Sequence, residues 1–308
     1  VTYESPLAYA LALEGIALMR AFTGEHDRAF TEARIAEIRR LLDGGPAPEE
    51  AVEVAEADAV EGYRIWSATY DGPNPLFDLD APFIRRVAGA LPPGDALDAA
   101  CGTGRVAELL AGQGYRVTGV DVSPEMLEGA RRRVPGAGFR VGDLYRLPAG
   151  DGSADLAVCS LALTHLPDLG PALAEFARVL RPGGHLVVTD VHPERVARGL
   201  VPPVRLADGS PARLVAHRHR TGDYLRAALA AGFHPLSCEE PPAPVPEPGS
   251  GQDAAGPGAA PWETWPWSLA GLVPEAARAA EAGVPAILLW HFRLDSAAAS
   301  DDLDVAGV

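Results

Sequence analysis

The chain has 308 residues, 47% of them hydrophobic and 22% charged, and carries a formal net charge of -16 at pH 7. This composition excludes a disordered chain, and the length leaves room for one main domain and an appendage. The negative field argues against nucleic acid and membrane surfaces as partners, and three cysteines without a CxxC pair argue against a disulfide framework or zinc knuckle and fit a cytoplasmic protein.

Ser5–Phe22, His26–Leu42 and Pro48–Ala68 have helical composition and are separated by TGE and GGPAP. They predict an N-terminal helical region over residues 1–70, serving as a lid or in dimerisation. Glu14 interrupts the apolar run Leu7–Phe22, which is too short to span a bilayer and reads as a helix. That helix is apolar on nearly every face, which implies burial on the main domain or across the interface of a homodimer. Tyr63, Trp66 and Tyr70 recur at helical spacing, as in a core stripe or a lid.

Residues 71–308 form the second expected domain. Short β-type runs at 96–100, 116–121, 138–141, 154–160 and 185–190 alternate with helices at 104–112, 123–133 and 170–180, the signature of a parallel sheet covered on both faces. Ser123-Pro124-Glu125 is a strong helix start. A helix at 221–231 and strands at 233–239 and 285–294 follow. Between those strands, residues 241–283 form a Pro/Gly-rich insertion holding Trp262, Trp265 and Trp267, expected as a loop or flap whose tryptophans anchor it or line an acceptor site.

The stretch LDAACGTGR, residues 97–105, runs a strand into a glycine turn that opens a helix. With Asp121 closing the next strand, it satisfies the general dinucleotide fingerprint, so a nicotinamide oxidoreductase is a rival reading. Asp98 weighs against that reading: a carboxylate just before the turn repels a pyrophosphate and suits an ammonium. Asp143, in VGDLYRLP, is placed to accept from an exocyclic adenine amine. Three acids around an ammonium, a ribose and an adenine describe S-adenosyl-L-methionine.

These motifs, together with VTGVDVSPEML and FARVLRPGGHLVVTD, resemble the class I S-adenosylmethionine-dependent methyltransferases, most closely the small-molecule branch called methyltransferase type 11. The resemblance covers about residues 63–294. It implies an α/β, Rossmann-like, seven-stranded, mostly parallel sheet with helices on both faces and an antiparallel last strand. It also implies the cofactor S-adenosyl-L-methionine and a small-molecule acceptor. Gly102 and Gly104 would let the backbone approach the methionine part, Asp121 would hold the ribose, Val122 and Met126 would flank the adenine, Asp143 and Leu144 would meet its edge, and Ser160 would lie beneath the cofactor. Ala100 stands where the family often has glycine, a departure expected to narrow the turn. Tyr70 is expected at the pocket, with Trp66 in packing.

Methyl transfer requires alignment of nucleophile and methyl and removal of the nucleophile's proton if it starts neutral. His165 and Asp190 both fall on the sheet's carboxyl edge and are expected to pair as a deprotonating dyad, in the role that matching positions hold in related O-methyltransferases; the alternative for His165 is a pocket wall. His192 either assists at the substrate or forms a metal pair with Asp190, but no third ligand is evident and no metal is expected. His217–Arg220, HRHR, reads as a solvated turn. The expected function is O-methylation of a small molecule in specialised-metabolite biosynthesis. N- or C-methylation, and non-reactive use of bound cofactor, remain the alternatives.

Overall fold

The computed structural model describes residues 2–44, 51–67, 70–72, 74–199, 201–206, 208–242 and 267–296. In chain order its elements begin with β1 (Thr2–Glu4), α1 (Pro6–Phe22), α2 (Arg28–Leu42), β2 (Val52–Ala57), α3 (Ala59–Trp66) and α4 (Pro75–Gly89). There follow β3 (Asp95–Ala99), α5 (Arg105–Gly112), β4 (Arg116–Asp121), α6 (Pro124–Arg133), β5 (Gly138–Val141) and β6 (Ala154–Ser160). After a 3-10 turn at Leu163–His165 come α7 (Gly170–Val179), β7 (Leu180–Val191), α8 (Pro193–Ala197), β8 (Pro203–Arg205) and β9 (Pro211–Leu214). The last elements are α9 (Thr221–Ala230), β10 (Phe233–Glu239), a further 3-10 turn at Trp267–Leu272, α10 (Pro274–Glu281) and β11 (Ile287–Leu294).

By its internal contacts the chain divides into two units of three segments each. One comprises Val1–Asn74, Gly199–Val215 and Pro242–Val284, the other Pro75–Arg198, Ala216–Pro241 and Pro285–Val308. The expected first region, 1–70, is thus joined by two later segments.

The second unit is built on a seven-stranded sheet of order β10-β11-β7-β6-β3-β4-β5. β11 runs antiparallel to both neighbours and the other pairs are parallel, as expected. Central strands covered on both faces read as continuous apolar runs, because successive side chains enter opposite layers. Leu156 and Val158 pack with Phe83 and Ile84 of α4, whereas Ala157 and Cys159 pack with Leu173 and Phe176 of α7. The chain moves outward from β3 to β4 and β5, then returns to place β6 on the other side of β3. The carboxyl ends of β3 and β6 therefore flank the switch point, where ligands of such sheets bind.

In the first unit α1 packs on α2 and α10 through Ala10, Leu13, Ala17, Leu41, Ala276 and Ala280. Glu14 is fully buried in this layer and meets Arg34 at 3.2 Å, while Arg34 reaches Glu275 at 2.5 Å. Burial lifts the Glu14 carboxyl to about 7 against the pull of Arg34. Met19 and Phe22 remain exposed.

The unit is not wholly helical. The expected helix at 48–68 is instead β2 followed by α3, with 45–50 and 68 outside the described residues. β2 pairs antiparallel with β1 and parallel with β9, in a four-stranded sheet of order β1-β2-β9-β8. The pairing Ala55 with Ala212 supplies backbone partners that a local reading of VEVAEA cannot anticipate. The insertion is also partly regular: four alanines of α10 are buried, so residues 274–281 are a packed helix rather than a flap. Trp262, Trp265 and the side chain of Trp267 lie outside the described residues.

Candidate functional site

The glycine turn needs backbone conformations that side chains resist. After β3, Ala100, Gly102 and Gly104 all have positive φ, at 58°, 52° and 84°. Ala100 thus takes a conformation that glycine would hold without a Cβ penalty. A Cβ on Gly104 would lie 3.0 Å from both Cα and Cβ of Ala130, so the glycine lets α5 approach α6 closely. Gly104→Ala is expected to destabilise the protein by about 1–3 kcal/mol, measured by urea unfolding. Gly104 caps α5 without a side-chain hydrogen bond, and in the helix's first turn the Ala107 amide faces Asp98.

Asp98 is 1% exposed, and neither carboxylate oxygen has a hydrogen-bond partner. Burial pushes its carboxyl up to about 7, with the charge of Arg105 and the amide of Ala107 pulling the other way. An acid this buried, and only partly compensated, suits a cationic guest.

Asp121 accepts from the Gly102 amide at 2.8 Å and the Ser123 amide at 2.9 Å, joining the glycine turn to the start of α6. Burial pushes its carboxyl up despite these donors. Ser123 caps α6 through the Met126 amide at 3.2 Å, as the sequence predicts. Met126 is fully buried and Val122 half-buried. Asp143 is exposed and closes an Asx turn, accepting from the amides of Tyr145 and Arg146, with Leu144 buried beside it.

The Ser160 hydroxyl donates to Asp80 at 2.6 Å and accepts from Arg105 at 3.1 Å, so it belongs to a polar cluster. Arg105 grips Asp80 with two bonds of 2.8 and 2.6 Å and lies 4.2 Å from the centre of the Phe77 ring. Asp80 is fully buried, and Thr189 completes the cluster at 3.4 Å. Sequence reasoning missed Asp80. The available signal was an acid on the apolar face of Pro75–Gly89, next in space to an arginine that directly follows the motif.

Asp190 is fully buried and accepts from the Tyr224 hydroxyl at 2.7 Å and the Val191 amide at 2.8 Å. Burial raises its carboxyl to about 7. The Thr164 amide also donates to the Asp190 carboxylate; His165, the next residue, is half-buried at the end of its 3-10 turn, with its amide on the Ala162 carbonyl at 3.0 Å.

His192 is buried; its Nδ1 accepts from the Glu194 amide at 3.2 Å, and its Nε2 faces Glu240 at 3.3 Å. Among the described residues no group of three side chains could hold a metal ion. His217 and His219 are half-buried and hydrogen-bonded to the turn that carries His165, which corrects their reading as a solvated turn. Tyr70 lies in the first unit, its ring 5.9 Å from that of Tyr63 and 6.4 Å from that of Trp66. Among the described residues no helix is long and apolar enough to cross a membrane.

Residues 97–188 match the family model described as a methyltransferase domain. A malonyl-acyl-carrier-protein O-methyltransferase of Serratia marcescens is 41% identical over 97 residues, which are 31% of this chain and 38% of that protein. A demethylmenaquinone methyltransferase of Beutenbergia cavernae is 38% identical over 126 residues, 39% of this chain and 52% of that protein. The chain therefore spans between about a third and a half of these relatives. The crystal structure of the (4+2)-cyclase SpnF superposes with a TM-score of 0.52 at 21% identity, over 80% of this chain and 98% of that one, a likeness of fold alone.

Proposed function

We propose, for a chain that carries a class I S-adenosylmethionine-dependent methyltransferase domain, that it transfers the donor's methyl group to an oxygen of a small molecule in specialised-metabolite biosynthesis. The observation that carries the reading is Asp98, a buried carboxylate without a partner at the foot of an uncapped glycine turn. It fits the ammonium of an amino-acid cofactor and repels a pyrophosphate. The matches to O-methyltransferases over the motif region support oxygen as the acceptor atom.

When bound, S-adenosyl-L-methionine supplies a methyl group activated by a sulfonium. The chain's own residues hold and align it. Asp98 accepts the ammonium, and the backbone at Gly102 and Gly104 admits the methionine part. Asp121 keeps lone pairs for the ribose hydroxyls beyond its two amide bonds. Val122 would flank the adenine, with the fully buried Met126 packed behind it, and Asp143 and Leu144 would meet the adenine edge. His165 would take the proton of the acceptor hydroxyl as a general base. Asp190 contributes from within the core, held by the Tyr224 hydroxyl and by the amide of Thr164 next to His165.

The test is incubation with methyl-labelled donor and a panel of phenols, sugar-bearing metabolites, amines and carboxylic acids, read by mass spectrometry. A labelled ether or ester product supports the reading. His165→Gln is expected to lower turnover about 100-fold or more while S-adenosylhomocysteine binding is unchanged. Turnover that survives the substitution removes His165 as the base, and products labelled on nitrogen or carbon only would overturn O-methylation.

A further inference from the structure

We infer that His219 is a positioning residue for His165, acting through a strap of chain that holds the 3-10 turn from outside. The inference rests on the proposed role of His165 but concerns how that side chain is placed. The His217 amide donates to the Thr164 carbonyl at 2.7 Å, the Thr164 hydroxyl donates back to the His217 carbonyl at 3.3 Å, and His219 Nε2 meets the Leu166 carbonyl at 2.7 Å. These bonds bracket position 165 on both sides. Because a carbonyl only accepts, His219 Nε2 carries the proton, and the bond survives whether the ring is neutral or charged.

The turn needs such support. A three-residue 3-10 turn has few bonds of its own: the His165 amide reaches Ala162 and the Leu166 amide reaches Leu163, each at 3.0 Å, while the Thr164 amide is anchored on Asp190. At its entry, Leu161 has a φ of 56°, rare for leucine, and its amide is tied to the Thr189 carbonyl of β7 at 2.7 Å. At its exit, the strap provides the counterpart. The His219 ring stands edge-on to Tyr224, with centroids 5.9 Å apart and planes at 84°, and the Tyr224 hydroxyl holds Asp190. A contiguous path thus runs from Asp190 through Tyr224 and His219 to the Leu166 carbonyl. Proton transfer tolerates little displacement, and a misplacement of about 1 Å costs on the order of 100-fold in rate. That sensitivity gives a distant strap leverage over His165.

The experiment follows the His165 imidazole by NMR through a pH titration of the whole chain, with the resonance assigned by its loss in His165→Gln. His219→Phe keeps a ring against Tyr224 but removes the donor; it is expected to shift the His165 midpoint by about half a unit and to broaden the resonance. His219→Gln, whose amide can donate to the same carbonyl, restores the wild-type curve. Thr164→Val, which removes one bond of the strap from the other side, shifts it in the direction of the Phe variant and carries the test if that variant does not fold. S-adenosylhomocysteine affinity stays within about twofold in all three, since none touches the glycine turn. Coincident His165 curves in wild type and His219→Phe, or a Gln variant that behaves like Phe, overturn the inference. The readout needs no acceptor, so it fails separately from the proposed reaction, whose failure shows as turnover retained in His165→Gln.

Discussion

S-Adenosylhomocysteine is expected to bind about tenfold more tightly at pH 8 than at pH 6 and to release close to one proton per site at the lower pH. The cause is Asp98, whose burial without a partner holds its carboxyl near 7 in the ligand-free protein. Protons and the cofactor's ammonium compete for that carboxylate: below pH 7 a proton must leave before the ammonium is accepted, while above it the site is already charged. For the ligand-free fold the sign is opposite. A carboxyl raised from 3.8 to about 7 binds more protons folded than unfolded, so its stabilising contribution is complete below about pH 4 and is lost as pH rises towards 7. Asp190, raised to about 7, and Glu14, raised from 4.5 to about 7, act in the same direction.

Asp98→Asn separates the two effects. It removes the charge that receives the ammonium, and affinity should fall about 10- to 150-fold, the worth of a hydrogen bond to a charged group. The same change removes the burden of a buried charge and should raise ligand-free stability at pH 8, the trade between activity and stability seen at binding sites. Calorimetry in two buffers of different protonation enthalpy reads the proton release. An Asn variant with the wild-type pH profile would assign the linkage to another group, Asp121 first, whose carboxyl burial also raises.

Arg105→Met is expected to be among the most destabilising exchanges of a single charged side chain, costing about 3–5 kcal/mol. Asp80 has no exposed surface, and the guanidinium supplies two of its hydrogen bonds; Ser160 and Thr189 remain but bring no charge. Arg105→Lys recovers only part of the loss, because an ammonium cannot grip both carboxylate oxygens in one plane. Replacing both partners, Asp80→Leu with Arg105→Met, should return most of it, since the cost lies in stranding a charge rather than in losing the pair. Urea midpoints for the four proteins of this cycle decide the matter, and a single Arg105→Met cost below about 1 kcal/mol would show that Asp80 is relieved in some other way.

The sheet was legible in the sequence because its signals are local. Each parallel strand is an apolar run bounded by glycine, proline or aspartate, and the motifs at 97–105 and 116–126 fix the order of the first elements. Ser123 and Pro124 announced α6 in three residues. What escaped depends on partners far away in the chain. β2 exists because residue 55 meets residue 212, Asp80 is held by Arg105, and Asp190 turns to Tyr224 of α9. Asp190 shows the limit most clearly: its place on the carboxyl edge followed from strand periodicity, but the direction of its carboxylate followed from a helix that begins thirty residues later.

The three-part make-up of the first unit also governs the order in which the protein can come into being. β2 leaves the ribosome about 150 residues before its parallel partner β9, and α1 is followed by more than 250 residues before α10 is synthesised. Neither early element can be completed by its neighbours in the chain, so both wait, with apolar surface uncovered, while the whole parallel half of the large sheet is made. The α1 surface around Ala10, Leu13 and Ala17 is therefore a natural client for a chaperone during synthesis. Nor can one protease cut release either unit intact, because the chain passes between them at five boundaries.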